Sequence, residues 1–418
     1  MPDSNSGIAI KDLTINQQRL SARIAELARI GAIEGDGVCR LALSDEDRQG
    51  RDLVCNWMKE LGLQVSVDRI GNVMALRAGL EDTAPVMTGS HIDTVATGGR
   101  YDGNLGVLAG LEVIATLNDA GITTRRPLCV AFFTNEEGAR YAPDMMGSAV
   151  HQGFLDLDQA LATKGIDGSI VDEELQRIGY AGDVEVGRFR AHSFVELHVE
   201  QGPVLEQEGF QIGAVSGVQG ISWTEYRIDG VSNHAGTTPM HLRHDAAYVA
   251  AAIAVECRRI ANDMGGAQVA TVGVNELVPN LVNVIAKQAL LTVDLRNTDE
   301  TLLQAAEQRL ADFIRHIAEQ EGVQISQHRL ARFEPVIFDE AMVSLVEQKA
   351  SSLGLSCKRM PSGAGHDAQM FAPNCPTAMI FVPSQGGISH NVAEYTAPHE
   401  VEAGANVLLQ VLLHQANQ

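Results

Sequence analysis

Five short segments of this sequence carry histidine and carboxylate side chains, most of them directly after an apolar run. They are residues 88–94 (TGSHIDT), 98–104 (GGRYDGN), 133–138 (FTNEEG), 195–202 (VELHVEQG) and 387–391 (GISHN). Imidazole and carboxylate groups are the ligands that Zn²⁺, Mn²⁺ and similar ions prefer in proteins. The segments therefore predict a metal site built from distant parts of the chain. One carboxylate can bridge two nearby ions, and two ions can activate a shared water.

The adjacent pair Glu136 and Glu137 is the most informative part of this pattern. Two carboxylates side by side are costly to bury unless a cation neutralises one of them. If one of them binds metal, the other is available to accept a proton as a general base. The pair therefore favours hydrolytic chemistry over a purely structural metal site.

Each segment also has an ordinary explanation when it is taken alone. A histidine after a strand is more often a surface or core residue than a ligand, and Asp102 lies in a glycine-rich segment typical of turns. The repetition of the pattern favours the metal site, and histidines outside this setting, such as His151, are predicted to be surface residues. The sequence contains no H-E-x-x-H, G-x-S-x-G or P-loop motif, so it indicates neither a nucleophilic serine nor a phosphate-binding loop.

The apolar runs around these segments alternate between strand and helix patterns. Helices are predicted at 14–30, 44–62 and 104–120, and strands at 65–67, 72–76, 85–91 and 127–134. Ser44 and the acidic residues after it are typical of a helix start. Alternating strands and helices favour an α/β sandwich around a central sheet, and the strand ends of such sheets are where ligands bind.

The pattern changes between residues 214 and 330. A strand at 222–229, a helix at 245–260, strands at 268–273 and 290–295 and a helix at 302–320 give a β-α-β-β-α order. The earlier pattern returns in a helix at 341–353, a loop at 361–367, a strand at 378–382 and a helix at 399–415. The sequence therefore predicts a second domain of residues 214–330 inserted into a discontinuous domain of residues 1–213 and 331–418.

The charge balance, the length of the apolar stretches and the cysteines indicate which partners and which compartment to expect. Lys and Arg number 31 against 53 Asp and Glu, a net charge of −22, and an acidic surface repels the phosphates of a nucleic acid. No stretch approaches the roughly 18 apolar residues of a membrane span, and the first residues do not resemble a signal peptide. Six scattered cysteines fit reduced thiols. We expect a cytoplasmic protein with neither nucleic-acid nor membrane partners.

The motifs resemble those of the zinc-aminopeptidase-like metallohydrolases. The resemblance is strongest to the branch that contains N-carbamoyl-L-amino acid hydrolases, β-ureidopropionases and allantoate amidohydrolases. It covers nearly the whole chain, through GSHIDTVATGGRYDGNLGVL, FTNEEGARY, ELHVEQGPVLE, SNHAGTTPM, VPNLVNVI, VDLRN, SGAGHDAQMF and GGISHN. It implies a two-domain dinuclear metallohydrolase, in which an α/β sandwich catalytic domain carries an inserted, smaller α+β domain, ferredoxin-like, that serves as lid and dimerisation domain.

The resemblance also implies a role for each matching residue of the catalytic domain. Two divalent ions per subunit, Zn²⁺ or Mn²⁺ with Co²⁺ and Ni²⁺ as alternatives, would be bound by His91, Asp102, Glu137, His198 and His390. Asp102 would bridge the ions, and Glu136 would be the general base. The carboxylate of Asp93 would orient the imidazole of His91.

Further residues would bind the substrate. His234 would help to polarise the scissile carbonyl in the site of the neighbouring subunit, which implies a homodimer. Asn283 and Arg296 would hold the substrate carboxylate, for which the arginine fork is suited. Gln201 and the loop 363–367, including Gly365, would line the same pocket. Judged locally, Asn283 also fits a turn cap and Arg296 an exposed charge at a strand end.

The implied reaction is hydrolysis of the ureido group of a small N-carbamoyl-L-amino acid to the amino acid, carbon dioxide and ammonia. Allantoate enzymes often carry an arginine near the positions of residues 220–223, where Trp223 brings no charge. This difference favours an N-carbamoyl-L-α-amino acid or N-carbamoyl-β-alanine, the β-ureidopropionase substrate, over allantoate. An aminoacylase or dipeptidase, a binding protein without activity and a purely structural metal site stay open as alternatives.

Overall fold

A computed structural model describes residues 13–418 and divides the chain into two compact units. The larger unit runs up to Ser216 and resumes with Ile337–Gln418, and the inserted unit is Gly217–Val336. The inserted unit thus begins and ends a few residues later than the predicted 214–330. The strand Ile212–Val218 belongs to the sheet of the larger unit, and a strand at Gln324–Phe333 occupies the end of the insertion.

The strands and helices follow one another closely along the described chain. The strands are β1 (Ala32–Ile33), β2 (Gly37–Val38), β3 (Gln64–Val67), β4 (Val73–Arg77), β5 (Val86–His91), β6 (Leu128–Phe133), β7 (Ser193–Val199), β8 (Ile212–Val218), β9 (Gly220–Asp229), β10 (Val269–Val278), β11 (Gln288–Asn297), β12 (Gln324–Phe333), β13 (Val336–Ile337), β14 (Cys357–Ser362) and β15 (Thr377–Val382). The helices are α1 (Gln17–Leu27), α2 (Asp45–Glu60), α3 (Asn104–Asp119), α4 (Met146–Gln152), α5 (Leu157–Leu161), α6 (Val171–Ile178), α7 (Val204–Glu208), α8 (Ala246–Met264), α9 (Glu300–Glu321), α10 (Glu340–Ser352), α11 (Asp367–Phe371) and α12 (Pro398–Ala416).

The larger unit is built on a mixed sheet with strand order β13-β8-β15-β7-β5-β6-β4-β3, in which β14 pairs with β8. Its central strands β15, β7, β5 and β6 are parallel, and β4 and β8 run antiparallel to their neighbours. The central strands are buried along their whole length. A continuous apolar run is expected of a strand that is covered on both faces, which explains why β6 shows no alternation in the sequence.

Helices cover both faces of this sheet. On β6, Val130 faces α3, which approaches so closely at Gly110 that a Cβ there would lie 3.0 Å from Val130 Cγ1. Phe133 lies three residues further along the same strand and contacts the ring of Phe371 in α11 at a centroid distance of 5.4 Å. An odd spacing along a strand places side chains on opposite faces. The predicted α/β sandwich is confirmed.

The inserted unit contains a four-stranded antiparallel sheet with strand order β10-β11-β9-β12 and the helices α8 and α9. The β-α-β-β-α-β sequence with this order is the ferredoxin-like arrangement. The helices and the sheet enclose a separate apolar core that includes Ile253, Leu291 and Leu310. The strand β12 was missed in the sequence, because most of its residues are exposed and they show no apolar alternation.

The surface prediction for His151 is wrong. This residue is buried in α4, its ring contacts those of Phe133 and Phe371, and its Nε2 donates to the carbonyl oxygen of Phe189 at 3.2 Å.

All six cysteines are free thiols. Among the helices of residues 13–418, none combines the length and the apolar character needed to cross a membrane.

The core of the inserted unit gives a prediction about stability. Ile253 is fully buried in α8, whereas Val255, two residues further along, is 69% exposed. Replacing Ile253 by Ala removes buried methyl groups and leaves a cavity, so we expect the free energy of unfolding to fall by about 2–5 kcal/mol. The matched variant Val255→Ala is expected to change it by less than about 0.5 kcal/mol. Urea unfolding of both variants measures the difference, and equal effects would contradict the packing described.

Candidate metal centre

The predicted ligands lie at the carboxyl ends of the central strands. His91 is the last residue of β5, and His198 is the second-last residue of β7. Glu136 and Glu137 follow β6 by three and four residues. Because parallel strands end at the same edge of a sheet, residues that are more than a hundred positions apart meet there. Asp102 lies at the same edge, directly before the start of α3.

Two groups of ligand atoms share the carboxylate of Asp102. Its Oδ1 lies 3.1 Å from Nε2 of His198 and 3.6 Å from Nε2 of His91. Its Oδ2 lies 3.5 Å from Nε2 of His390, whose Nε2 is in turn 3.2 Å from Oε2 of Glu137. In each group one ligand atom from every residue lies within 4.8 Å of the others. The structure thus brings together all five predicted ligands, with Asp102 between the two groups.

Glu136 lies beside these groups rather than within them. Its Oε2 is 3.2 Å from Nε2 of His91, and the residue is only 7% exposed. Burial, only partly opposed by His91, raises the pKa of the Glu136 carboxyl well above its usual range. A buried carboxyl group with a raised pKa beside a metal site is suited to accept and return a proton.

The charges of Asp102 and His91 shift each other's pKa values. Although burial works against its ionised form, the imidazoles of His198 and His91 hold the pKa of Asp102 well below its usual range. At His91 burial is outweighed by the Glu136 carboxylate and by Asp102, and the pKa of the imidazole is raised well above its usual range. Positive charge is therefore favoured at this position, and a divalent cation supplies it more strongly than protons do.

The residues present fit a metal ion. Asp102, Glu137 and the three imidazoles are the oxygen and nitrogen donors that first-row divalent ions bind. Gln201 is also part of the centre, because its Nε2 donates to Oδ2 of Asp102 at 2.8 Å. Its Oε1 is buried without a hydrogen-bond partner, and a bound cation or substrate would satisfy this atom.

The prediction for Asp93 is wrong in its detail. Nδ1 of His91 contacts the backbone carbonyl oxygen of Asp93 at 2.9 Å, so the main chain orients the imidazole. The carboxylate of Asp93 instead accepts from the backbone N–H groups of Glu136 and Glu137, each at 3.3 Å. The strand end turns the side chain away from His91 and towards the loop after β6. The carboxylate of Asp93 thereby positions the glutamate pair, while its backbone carbonyl orients the histidine.

Sequence reasoning missed Arg40, which lies beneath the centre. This residue is fully buried and its guanidinium donates to the carbonyl oxygen of Ile92 at 2.7 Å and to Oδ1 of Asn104 at 2.8 Å. Burial lowers the pKa of Arg40 to about 10. The side chain therefore ties the segment after β5 to the start of α3, on either side of Asp102. Its only sequence signal was a charged residue within an apolar run.

Ser389 and Glu394 also belong to the centre and were not predicted. Ser389 Oγ donates to Oδ2 of Asp102 at 3.2 Å. The carboxylate of Glu394 accepts from the backbone N–H of Asp102 at 3.1 Å. Both residues lie close to His390 in sequence, and that proximity was the available signal.

The loop of the inserted unit that contains His234 fixes one tautomer of its imidazole. Nδ1 accepts from the backbone N–H groups of Gly236 and Thr237, at 3.0 and 3.2 Å. In the neutral ring Nε2 therefore carries the proton and is a donor. The same loop pairs with the segment of Asn283, since the N–H of Ala235 donates to the Asn283 carbonyl at 3.0 Å.

Arg296 is on β11 of the inserted unit. Its guanidinium forms an ion pair with Asp294 at 2.9 Å and lies 5.6 Å from the centroid of the Trp223 ring. In the larger unit, Gly365 fits its loop tightly, since a Cβ there would lie 2.9 Å from the terminal methyl of Met145. The structure places His234, Asn283 and Arg296 in a different unit from the metal ligands and Gly365.

Comparisons with known proteins agree with this arrangement. The family model described as peptidase family M20/M25/M40 matches residues 87–414, which contain every predicted ligand. The chain belongs to this family. An N-carbamoyl-L-amino-acid amidohydrolase from Rhizobium meliloti is 41% identical over 96% of this chain and 97% of the relative.

Further relatives lie within the same family. An allantoate amidohydrolase from Bacillus subtilis is 32% identical over 95% of this chain and 99% of that protein. The crystal structure of an amidase of the hydantoinase/carbamoylase family from Burkholderia multivorans is 46% identical, with a TM-score of 0.95 over 97% of this chain and 99% of that one. Enzymes of the M20 family are metal-dependent, and this chain has histidine and carboxylate groups able to hold metal.

The shared carboxylate gives a prediction about metal binding. Asp102→Ala removes a ligand from both groups, whereas His390→Ala removes a ligand from one group only. We expect Asp102→Ala to abolish binding of Mn²⁺ and Zn²⁺, and His390→Ala to retain binding by the remaining group. Elemental analysis after dialysis against each metal measures the retained amount. Asp119→Ala, an exposed acid at the end of α3, is the control, and equal losses in both ligand variants would contradict the shared arrangement.

Proposed function

We propose that the protein hydrolyses the carbamoyl group of an N-carbamoyl-L-amino acid, using two divalent cations per subunit. The observation that carries the proposal is the pair of ligand groups that share Asp102. The carboxyl of Glu136 lies beside them and belongs to neither group. The names of the Rhizobium and Burkholderia relatives support the ureido substrate. The donor set fits Zn²⁺ or Mn²⁺, with Co²⁺ and Ni²⁺ as alternatives.

The chain's own residues divide the work of the reaction. When bound, the cations would polarise the ureido carbonyl and make a water molecule more acidic. Glu136 accepts the proton of the attacking water and returns it to the nitrogen that leaves when the C–N bond breaks. Cleavage of this first C–N bond leaves a carbamic acid, whose loss of carbon dioxide breaks the second C–N bond, so the final products are the amino acid, carbon dioxide and ammonia. Asp93 assists by holding the backbone of Glu136 in place.

The charge that develops on the carbonyl oxygen needs a hydrogen-bond donor. Nε2 of His234 is such a donor, because Nδ1 is already occupied by two backbone N–H groups. We assign this role to His234 of a second copy of the chain, so the proposed enzyme is a homodimer. Its six free cysteines suit a cytoplasmic location.

The substrate carboxylate is assigned to Arg296 and Asn283. The ion pair with Asp294 and the contact with Trp223 restrict the guanidinium, so little side-chain freedom is left to lose on binding. Gln201 and Gly365 are assigned to the wall of the pocket. Trp223 offers no charge for a second ureido arm, which favours an N-carbamoyl amino acid over allantoate.

The substrate prediction is tested by ammonia release. Metal-free protein, supplied with Mn²⁺ or Zn²⁺, is assayed with N-carbamoyl-L-methionine, N-carbamoyl-β-alanine and allantoate. We expect metal-dependent release that is fastest from an N-carbamoyl amino acid, and a loss of about 10²- to 10⁴-fold in Glu136→Gln. The exposed Glu60→Gln is the control. If allantoate is turned over fastest, allantoate replaces the N-carbamoyl amino acid as the proposed substrate. If only N-acetyl amino acids or dipeptides are hydrolysed, the proposed reaction is wrong and the protein is an aminoacylase or a dipeptidase.

The role of His234 across the dimer is tested with two inactive variants. Chains carrying Glu136→Gln and His234→Ala are co-expressed with different tags, and dimers that carry both tags are purified. If His234 acts on the partner's site, one of the two sites has both intact residues, so about half of the wild-type activity is expected. A dimer of two Glu136→Gln chains is the control. Activity no higher than in that control, or the absence of doubly tagged dimers, would refute the assignment.

A further inference from the structure

Glu394 is a buried carboxylate that binds no side chain of the metal centre and yet contacts its backbone. The residue is 5% exposed, and its Oε1 accepts from the N–H of Tyr101 at 3.0 Å and from the N–H of Asp102 at 3.1 Å. A single carboxylate oxygen thus accepts hydrogen bonds from two consecutive backbone N–H groups, and the second of them belongs to Asp102. Its Oε2 is buried without a hydrogen-bond partner.

The segment opposite is shaped to admit this side chain. A Cβ at Gly99 would lie 2.3 Å from Oε1 of Glu394 and 2.5 Å from its Cβ, distances that no packed side chain tolerates. Gly99 does not require a positive φ, so the requirement is for space alone. The absence of a side chain at residue 99 is therefore explained by the position of Glu394.

Glu394 also belongs to the segment that carries His390. The N–H of Glu394 donates to the carbonyl oxygen of Asn391 at 3.0 Å, which closes a turn directly after His390. The ring of the next residue, Tyr395, contacts the edge of Tyr101 at a centroid distance of 6.2 Å. The turn and the ring contact hold the His390 segment against the segment of Asp102.

We propose that Glu394 is a positioning residue, which fixes the distance between Asp102 and His390 and so completes the second group of ligands, Asp102, Glu137 and His390. This group needs such support more than the first, because His390 is 51% exposed whereas His91 and His198 are buried. Partners behind the ligands of a metal site commonly change the affinity for metal by about 10- to 100-fold. The inference rests on the proposed two-metal centre and assigns Glu394 no contact with substrate.

The test is a titration of the metal-free protein with Mn²⁺ and with Zn²⁺, in which isothermal titration calorimetry measures the affinity and the number of equivalents bound. Wild-type protein is expected to bind two equivalents. In Glu394→Ala the affinity for one equivalent should fall by about 10- to 100-fold, with the other retained. Glu394→Gln keeps an oxygen that accepts from both amides and should restore binding close to that of the wild type. Thermal unfolding of each metal-free variant is measured in parallel.

The matched control is Glu112→Gln. Glu112 is a buried carboxylate of the same unit, and its Oε1 accepts from the backbone N–H of Asn16. It should lower the unfolding temperature and leave both equivalents bound. If Glu394→Ala behaves like this control, the residue is structural only and the inference is wrong. If Glu394→Ala does not fold, Glu394→Asp, which cannot reach both amides, is measured in its place with the same readouts. Fewer than two equivalents in the wild type would instead overturn the two-metal proposal itself.

Discussion

The buried carboxylate of Asp102 is the constraint on which the rest of the metal centre depends. It lies between two groups of ligand atoms, with three imidazoles within 3.6 Å of its two oxygens. Carboxylates at this depth are stable only when positive charge or hydrogen-bond donors surround them. The imidazoles, the glutamine and the serine that donate to Asp102, and the backbone bonds behind it all meet that requirement.

The scaffold meets this constraint by bringing backbone segments unusually close together. Gly103 follows Asp102 with φ of +66°, and a Cβ there would lie 2.4 Å from the ring of His91. Only glycine supplies both the conformation and the space. Arg40 then ties the two segments together from beneath, through carbonyl and amide oxygens rather than through a carboxylate. The ligand geometry is thus set by the close-packed sheet edge and not by the ligands alone.

The two units contribute different kinds of group to the proposed reaction. The larger unit supplies buried carboxyl groups, in which burial raises the pKa of Glu136 while the imidazoles of His198 and His91 lower the pKa of Asp102. The inserted unit supplies groups whose orientation is fixed by local contacts, namely the tautomer of His234 and the paired guanidinium of Arg296. Both sets lie within residues 87–414, which the M20 family model matches.

The sequence by itself indicated the candidate ligands, the glutamate pair, the α/β sandwich and the inserted α+β unit, because these depend on residue type and on local periodicity. It did not reveal β12, whose exposed residues carry no apolar alternation, or the burial of His151. Only the tertiary structure decided which oxygen of Asp93 faces His91, and that Arg40 and Glu394 hold the Asp102 segment. The physical reason is that such contacts join segments up to 293 residues apart, and the distance and direction of a hydrogen bond between them are set by packing rather than by sequence spacing.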